Sequence, residues 1–196
     1  MRCTAAVALG LLVSLACGCA RRATGVKPAP AASEQATTMT TATSFRLTSP
    51  AFQDKARIPT RYTADGADVS PPLSWEAPAS AVSLALIVDD PDAPRGTFAH
   101  WVLYNLPATL TELPEDVPAR ETLPNLGGAR QGVNDFGKIG YGGPAPPRGP
   151  AHHYRFTLYA LDAQLKAPAR AGKAEVEKAM QGHLVGQARL TGVYGR

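Results

Sequence analysis

Cysteine is missing from almost the whole chain: Cys3, Cys17 and Cys19 all fall within the first 19 of 196 residues. Beyond them there is no disulfide and no thiolate, so cysteine nucleophiles, zinc knuckles and iron–sulfur clusters are excluded from the rest of the protein. Charged side chains make up 18% and aromatic ones 7%, while Gly and Pro each number 18. A helical bundle or coiled coil does not have that composition; a loop-rich, strand-based domain does. A basic surface for DNA or RNA is also lacking. Of the 20 basic and 16 acidic residues, Arg2, Arg21, Arg22 and Lys27 stand against Glu34 before residue 45. That leaves 16 against 15 afterwards, too even for a nucleic-acid footprint.

No hydrophobic run is long enough to span a bilayer. The longest, Thr4 to Ala16, has the length of a secretory signal core and follows Arg2. Residues 1–18 therefore read as a signal peptide. The segment Leu15-Ala16-Cys17-Gly18-Cys19 resembles the lipobox of bacterial lipoproteins, in which a cysteine is lipidated and becomes the mature N-terminus. Cys19, preceded by the small Gly18, is the preferred acceptor and Cys17 the alternative. Residues 20–44 contain 17 Ala, Thr, Ser or Pro and no aromatic. Such a stretch cannot bury enough apolar surface to offset its ordering entropy, so 19–44 is predicted to be a flexible tether and 45–196 one folded domain. An acylated cysteine would attach the protein to the envelope membrane, facing the periplasm or the cell exterior.

Within the domain, Val82–Val88 is an apolar run that stops at Asp89-Asp90-Pro91-Asp92-Ala93-Pro94, predicting a buried strand that delivers carboxylates to a proline-fixed turn. Phe98–Tyr104 reads as the adjacent strand, with His100, Val102 and Tyr104 on one face. Tyr154–Leu161 reads as a third strand, with His152 and His153 just before it. Gly137–Pro150 holds five Gly and four Pro in 14 residues, a rigid turn-rich loop. Helical spacing of Val176, Ala179, Met180, His183, Leu184 and Gln187 predicts an amphipathic helix over 173–188, followed by a short strand at 192–194.

These elements converge Asp90, Asp92, His100, His152 and Tyr154. Two His and a carboxylate suit zinc or non-haem iron, but the helical His-x-x-x-His pair is missing, and no metal or other cofactor is predicted. No G-x-S-x-G occurs, so a serine-hydrolase elbow is not expected. An anion pocket uses the same residues differently: imidazoles, a tyrosine hydroxyl and backbone N–H groups of the Gly-rich loop surround a phosphate. Each residue alone is equally at home as structure, His183 above all; their clustering around one loop favours a site.

Asp90-Pro-Asp-Ala-Pro94, His100-Trp101 and Pro146-Pro-Arg-Gly-Pro-Ala-His152-His-Tyr154 resemble the two signature regions of the phosphatidylethanolamine-binding protein family, in its bacterial Raf-kinase-inhibitor-like branch. Leu47–Phe52, Asp65-Gly66, Val69–Trp75, Leu106-Pro107 and Asn134–Lys138 resemble it too, so the likeness covers nearly all of 45–196. The resemblance implies a mainly β fold with few helices, a large antiparallel sheet packed on a smaller one. It also implies a small pocket for phosphate or a phosphoryl headgroup. It assigns Asp90, His100, His152 and Tyr154 to the pocket, Pro94 and Pro147 to its walls, and Asp92 to bracing the turn. Two positions depart from the pattern: Phe98 stands where animal members have a wall tryptophan, and His153 where an arginine is usual.

The expected function is that of a lipid-anchored binding protein for a phosphorylated or phospholipid-headgroup-like ligand, without catalysis. The alternatives are inhibition of a protein partner such as a protease through the pocket loops, and a hydrolase using Asp90, His100 and His152. A kinase in the cytoplasm is out of reach of an extracytoplasmic domain.

Overall fold

Ser83–Asp90 is buried at every position, as a strand covered on both faces must be. It forms the middle of a seven-stranded sheet in a computed structural model that describes residues 43–196. The signal-like segment, Cys17, Cys19 and the tether up to residue 42 lie outside the described residues. The strands are β1 Thr43–Ser44, β2 Leu47–Thr48, β3 Leu73–Trp75, β4 Ser83–Asp90, β5 Phe98–Pro107, β6 Glu112–Leu113, β7 Thr122–Leu123, β8 Ala129–Gln131, β9 His152–Leu161 and β10 Leu184–Tyr194. One α-helix, α1 Lys173–Met180, precedes β10. The large sheet runs β1-β10-β9-β4-β5-β8-β7 and the small one β2-β3-β6. All pairings are antiparallel except β1 with β10, so the edge at Thr43–Ser44, read from sequence as the end of the tether, is a parallel strand on Gly186–Gln187.

Alternation along β4 gives the sheet two cores. Leu84, Leu86 and Val88 face Trp101, Phe156, Leu158 and the small sheet's Leu73, Trp75 and Leu113. Ala85 and Ile87 face Val102, Tyr104, Leu165 and the helix residues Val176 and Met180. The mainly β architecture, with a larger sheet on a smaller one, is the fold that the sequence implies.

The C-terminal region differs from the prediction. α1 ends at Met180 rather than 188, because Gly182 takes φ +81°, a left-handed conformation that stops a helix. From Leu184 the chain is not a short strand at 192–194 but an 11-residue one, burying Gly186, Ala188, Leu190, Gly192 and Tyr194 in alternation. Three of those inward residues are Gly or Ala, so the period of two carries little hydrophobic signal. α1 is opened instead by Glu175, whose Oε2 accepts the Gly172 N–H at 2.5 Å.

Candidate functional site

A bulge decides where the first histidine points. Along β4 and β5, Val88 pairs with Trp101 and Asp89 with Ala99, so His100 is an extra residue with no partner of its own. The alternation read from sequence put His100 with Val102 and Tyr104. Instead Ala99 joins those two in the helix-side core, and His100 turns to the opposite face, its ring 5.1 Å from that of Tyr154. Asp90 shares that face, as does Phe98, its partner in register.

The ends of β4, β5 and β9 meet there around a cavity of about 170 Å³. Asp90, His100, His152 and Tyr154 line it, with Pro94, Pro147 and Phe98, so the residues singled out from sequence come together. Asp92 does not line it. Its Oδ2 accepts both the backbone N–H and the Nδ1–H of His153, each at 2.8 Å, tying the Asp-Pro turn to β9. Those two bonds, the backbone one first, hold the Asp92 carboxyl below the usual range. Sequence reasoning missed Phe136 and Pro146. Phe136 is 43% exposed and stacks edge-on against Phe98 at 4.7 Å, forming an aromatic rim. Buried Asn134 presents it, its Oδ1 accepting the N–H groups of Phe136 and Lys138 at 3.1 Å in an Asx-type turn.

The loop 137–150 fixes His100. The ring Nδ1 lies 2.7 Å from the Gly142 carbonyl, which can only accept, so Nδ1 carries a proton. The Gly142 N–H returns a bond to the His100 carbonyl at 3.0 Å. Next in the chain, Gly143 passes so close to the Tyr62 carbonyl and Thr63 that a Cβ would lie 2.7–2.8 Å from them, which requires glycine. Burial pulls the His100 pKa below its ordinary value, outweighing the Gly142 carbonyl and the Asp90 charge. Near neutral pH the imidazole is therefore neutral, with Nε2 as its remaining polar atom.

The second histidine is held by a carboxylate. His152 Nδ1 lies 2.8 Å from Asp90 Oδ2, and Asp90 Oδ1 accepts the Asp92 N–H at 2.8 Å, so both carboxylate oxygens are engaged. Tyr154 is 1% exposed, and its hydroxyl, although close to the Asp90 carboxylate, makes no hydrogen bond of good geometry among the described residues. Burial, then the neighbouring Asp90 charge, raises its pKa strongly, so it is a neutral O–H donor. A buried donor left unpaired costs about 1–3 kcal/mol, which an acceptor entering the cavity would recover. Two imidazole Nε2 atoms and one hydroxyl thus converge on a space walled by aromatic rings and prolines.

The third carboxylate of the turn region is not part of this space. Asp89 points to the opposite side, where Oδ1 accepts Arg155 Nε at 2.8 Å and Oδ2 pairs with Lys173. Arg155 is therefore committed there and does not stand in for the arginine that His153 replaces. Among the described residues no three His, Cys, Asp or Glu side chains are grouped as a metal site would need.

The pattern that defines the family described as Phosphatidylethanolamine-binding protein matches residues 48–195. A UPF0098 protein of Methanothermobacter thermautotrophicus is 52% identical over 153 residues, covering 78% of this chain and 99% of its own. LppC of Mycobacterium tuberculosis, described as a lipoprotein by name alone, is 41% identical over 150 residues, covering 76% and 71%. Among solved structures, the homologue CT736 of Chlamydia trachomatis superposes with a TM-score of 0.70 at 38% identity, covering 78% of this chain and 98% of that one. YbcL of E. coli does so at 0.72 with 34% identity, over the same shares.

Proposed function

This chain belongs to the phosphatidylethanolamine-binding protein family, and on that premise we propose that its cavity holds a phosphoryl-type anion, free or as the headgroup of a lipid-like molecule, without catalysing its turnover. The buried, unpartnered Tyr154 hydroxyl beside the two histidines carries this reading. At about 170 Å³ the cavity is smaller than ordinary small-molecule sites of about 300–1,000 Å³, which suits a tetrahedral anion with a short substituent. Asp90 adds a negative charge at the floor, so an anion can enter only if protons accompany it. His100, whose buried imidazole is neutral when free, supplies a place for one. The aromatic and proline rim strengthens the resulting charge-assisted bonds by keeping water out. Titrating inorganic phosphate and phosphorylethanolamine into the purified protein tests the reading: both should bind one per chain and compete with each other. Absence of binding by both would overturn it.

The location proposed is an envelope membrane, facing the periplasm or the cell exterior, through a lipidated cysteine. The lipobox-like Leu15–Cys19 and the lipoprotein-named relative support it. Among the described residues no helix is long and apolar enough to cross a membrane. Changing Cys19 to Ser is expected to move the protein from the membrane to the soluble extracytoplasmic fraction, since attachment then rests on no acyl chain. Release by Cys17→Ser instead would shift the acceptor, and release by neither would refute the anchor.

A further inference from the structure

The proline wall of the pocket has almost nothing of its own to hold it. The residues from Gly140 to Ala151 form no strand or helix. The hydrogen bonds that pin the loop lie at residues 140–144, beginning with Asn134 Nδ2, which donates to the Gly140 carbonyl at 3.0 Å. The others are the Gly142 pair with His100, the Gly143 N–H on Asp68 Oδ1 at 2.6 Å, the Tyr141 hydroxyl on the Tyr62 carbonyl at 2.7 Å, and the Ala64 N–H on the Pro144 carbonyl at 3.0 Å. Past Pro144 the wall consists of Ala145, Pro146 and Pro147, and proline has no N–H to donate. Among the described residues, the hydrogen bond that reaches this stretch comes from Arg196, whose Nη1 donates to the Pro146 carbonyl at 3.2 Å.

Arg196 is itself aimed. Its Nε and Nη2 grip Asp65 in a fork at 2.7–3.0 Å, and the Tyr194 hydroxyl donates to the same carboxylate at 2.8 Å. Tyr194 lies opposite His152 in the β9–β10 register, which fixes this assembly at the pocket end of the sheet. Arg57 covers the Tyr194 ring at 4.7 Å and donates to the Gly195 carbonyl at 3.1 Å, so the segment carrying Arg196 is pinned as well. We infer that Arg196, oriented by Asp65, is the positioning residue for the proline wall of the anion pocket and sets how long a ligand stays bound. This deepens the binding reading above and rests on it. Arg196 does not touch the ligand; it acts by keeping the wall in the bound arrangement before the ligand arrives.

The test compares wild type with Arg196→Ala, Asp65→Ala, the double variant and Arg196→Lys, using inorganic phosphate as the probe. Each alanine variant should bind phosphate about five- to tenfold more weakly through faster dissociation, the double variant no worse than either, since the two residues act as one unit. Lysine restores charge beside Asp65 but lacks the fork that also reaches Pro146, so it should not rescue. Arg130→Ala, which breaks the ion pair with Glu121 far from the pocket, should leave affinity unchanged. Amide exchange in the ligand-free variants gives a readout independent of any ligand: Gly143 and Ala64, whose N–H groups bond to Asp68 and to the Pro144 carbonyl at the base of the wall, should exchange faster than in wild type. Unchanged phosphate affinity and unchanged exchange in Arg196→Ala, or full rescue by lysine, would overturn the inference. Faster exchange in a protein that binds no phosphate would uphold the clamp and overturn the ligand.

Discussion

Replacing His100 with Ala is expected to weaken phosphate binding by about ten- to a hundred-fold, the value of one charge-assisted hydrogen bond of about 1.5–3 kcal/mol. The ring is 3% exposed, its Nδ1–H is spent on the Gly142 carbonyl, and its Nε2 remains for the cavity. Because burial has pushed its pKa down, the free imidazole is neutral near pH 7 and gains its proton when an anion arrives. The variant loses that proton-linked contact. It also loses edge contacts with Phe98, Phe136 and Tyr154, at 5.1–5.3 Å, and the bond that orients Gly142. Stability should fall by roughly 1–3 kcal/mol with a cooperative transition retained, since the backbone bond from Gly142 to the His100 carbonyl survives. Denaturation read beside calorimetry separates the two effects: a folded variant that binds like wild type would remove His100 from the site.

Asp90→Asn should also weaken phosphate binding, by about tenfold, even though it removes a negative charge from an anion site. Asp90 Oδ2 accepts from His152 Nδ1 and Oδ1 from the Asp92 N–H, so the carboxylate fixes the His152 ring with Nδ1 as the donor to it. An asparagine has one acceptor oxygen for these two donors, so either the Asp92 N–H or the His152 ring is left facing an amide NH2. The His152 ring then loses the anchor that aims it at the ligand. Competing with this is the relief of repulsion between Asp90 and the ligand. The engaged state of both carboxylate oxygens decides for weakening, because the charge is already satisfied within the pocket. Tighter binding by Asp90→Asn would mean that the carboxylate only repels.

The parts of this arrangement that were legible in the sequence are those with a strong local signature. The unbroken apolar run into Asp90, the proline turn after it and the aromatic strand of Tyr154 each signal their element directly, and the motif likeness added Pro94, Pro147 and Phe98. The face of His100 was not legible, because a bulge is a mismatch between two strands and leaves no mark on either one alone. Phe136 escaped because its outward setting depends on the turn built by Asn134. The length of β10 was hidden by inward Gly and Ala residues, which made the apolar residues at 180 and 184 look helical. Arg196 reaches the pocket wall across 50 residues of chain, a pairing that no spacing rule contains.

Proton uptake on binding is the most direct test of the anion pocket, and sulfate isolates it, since sulfate stays fully ionised where phosphate gains a proton. Affinity for sulfate and for phosphate would be measured by calorimetry at pH 6 and pH 8, in buffers of different ionisation enthalpy. A free His100 with a lowered pKa must take up a proton to meet a fixed dianion, so sulfate should bind more tightly as pH falls, by up to about tenfold per pH unit for each proton gained. Phosphate should follow the same direction, whether the proton ends on the ligand or on the imidazole. Sulfate affinity that is flat between the two pH values, with no buffer-dependent heat, would contradict the account.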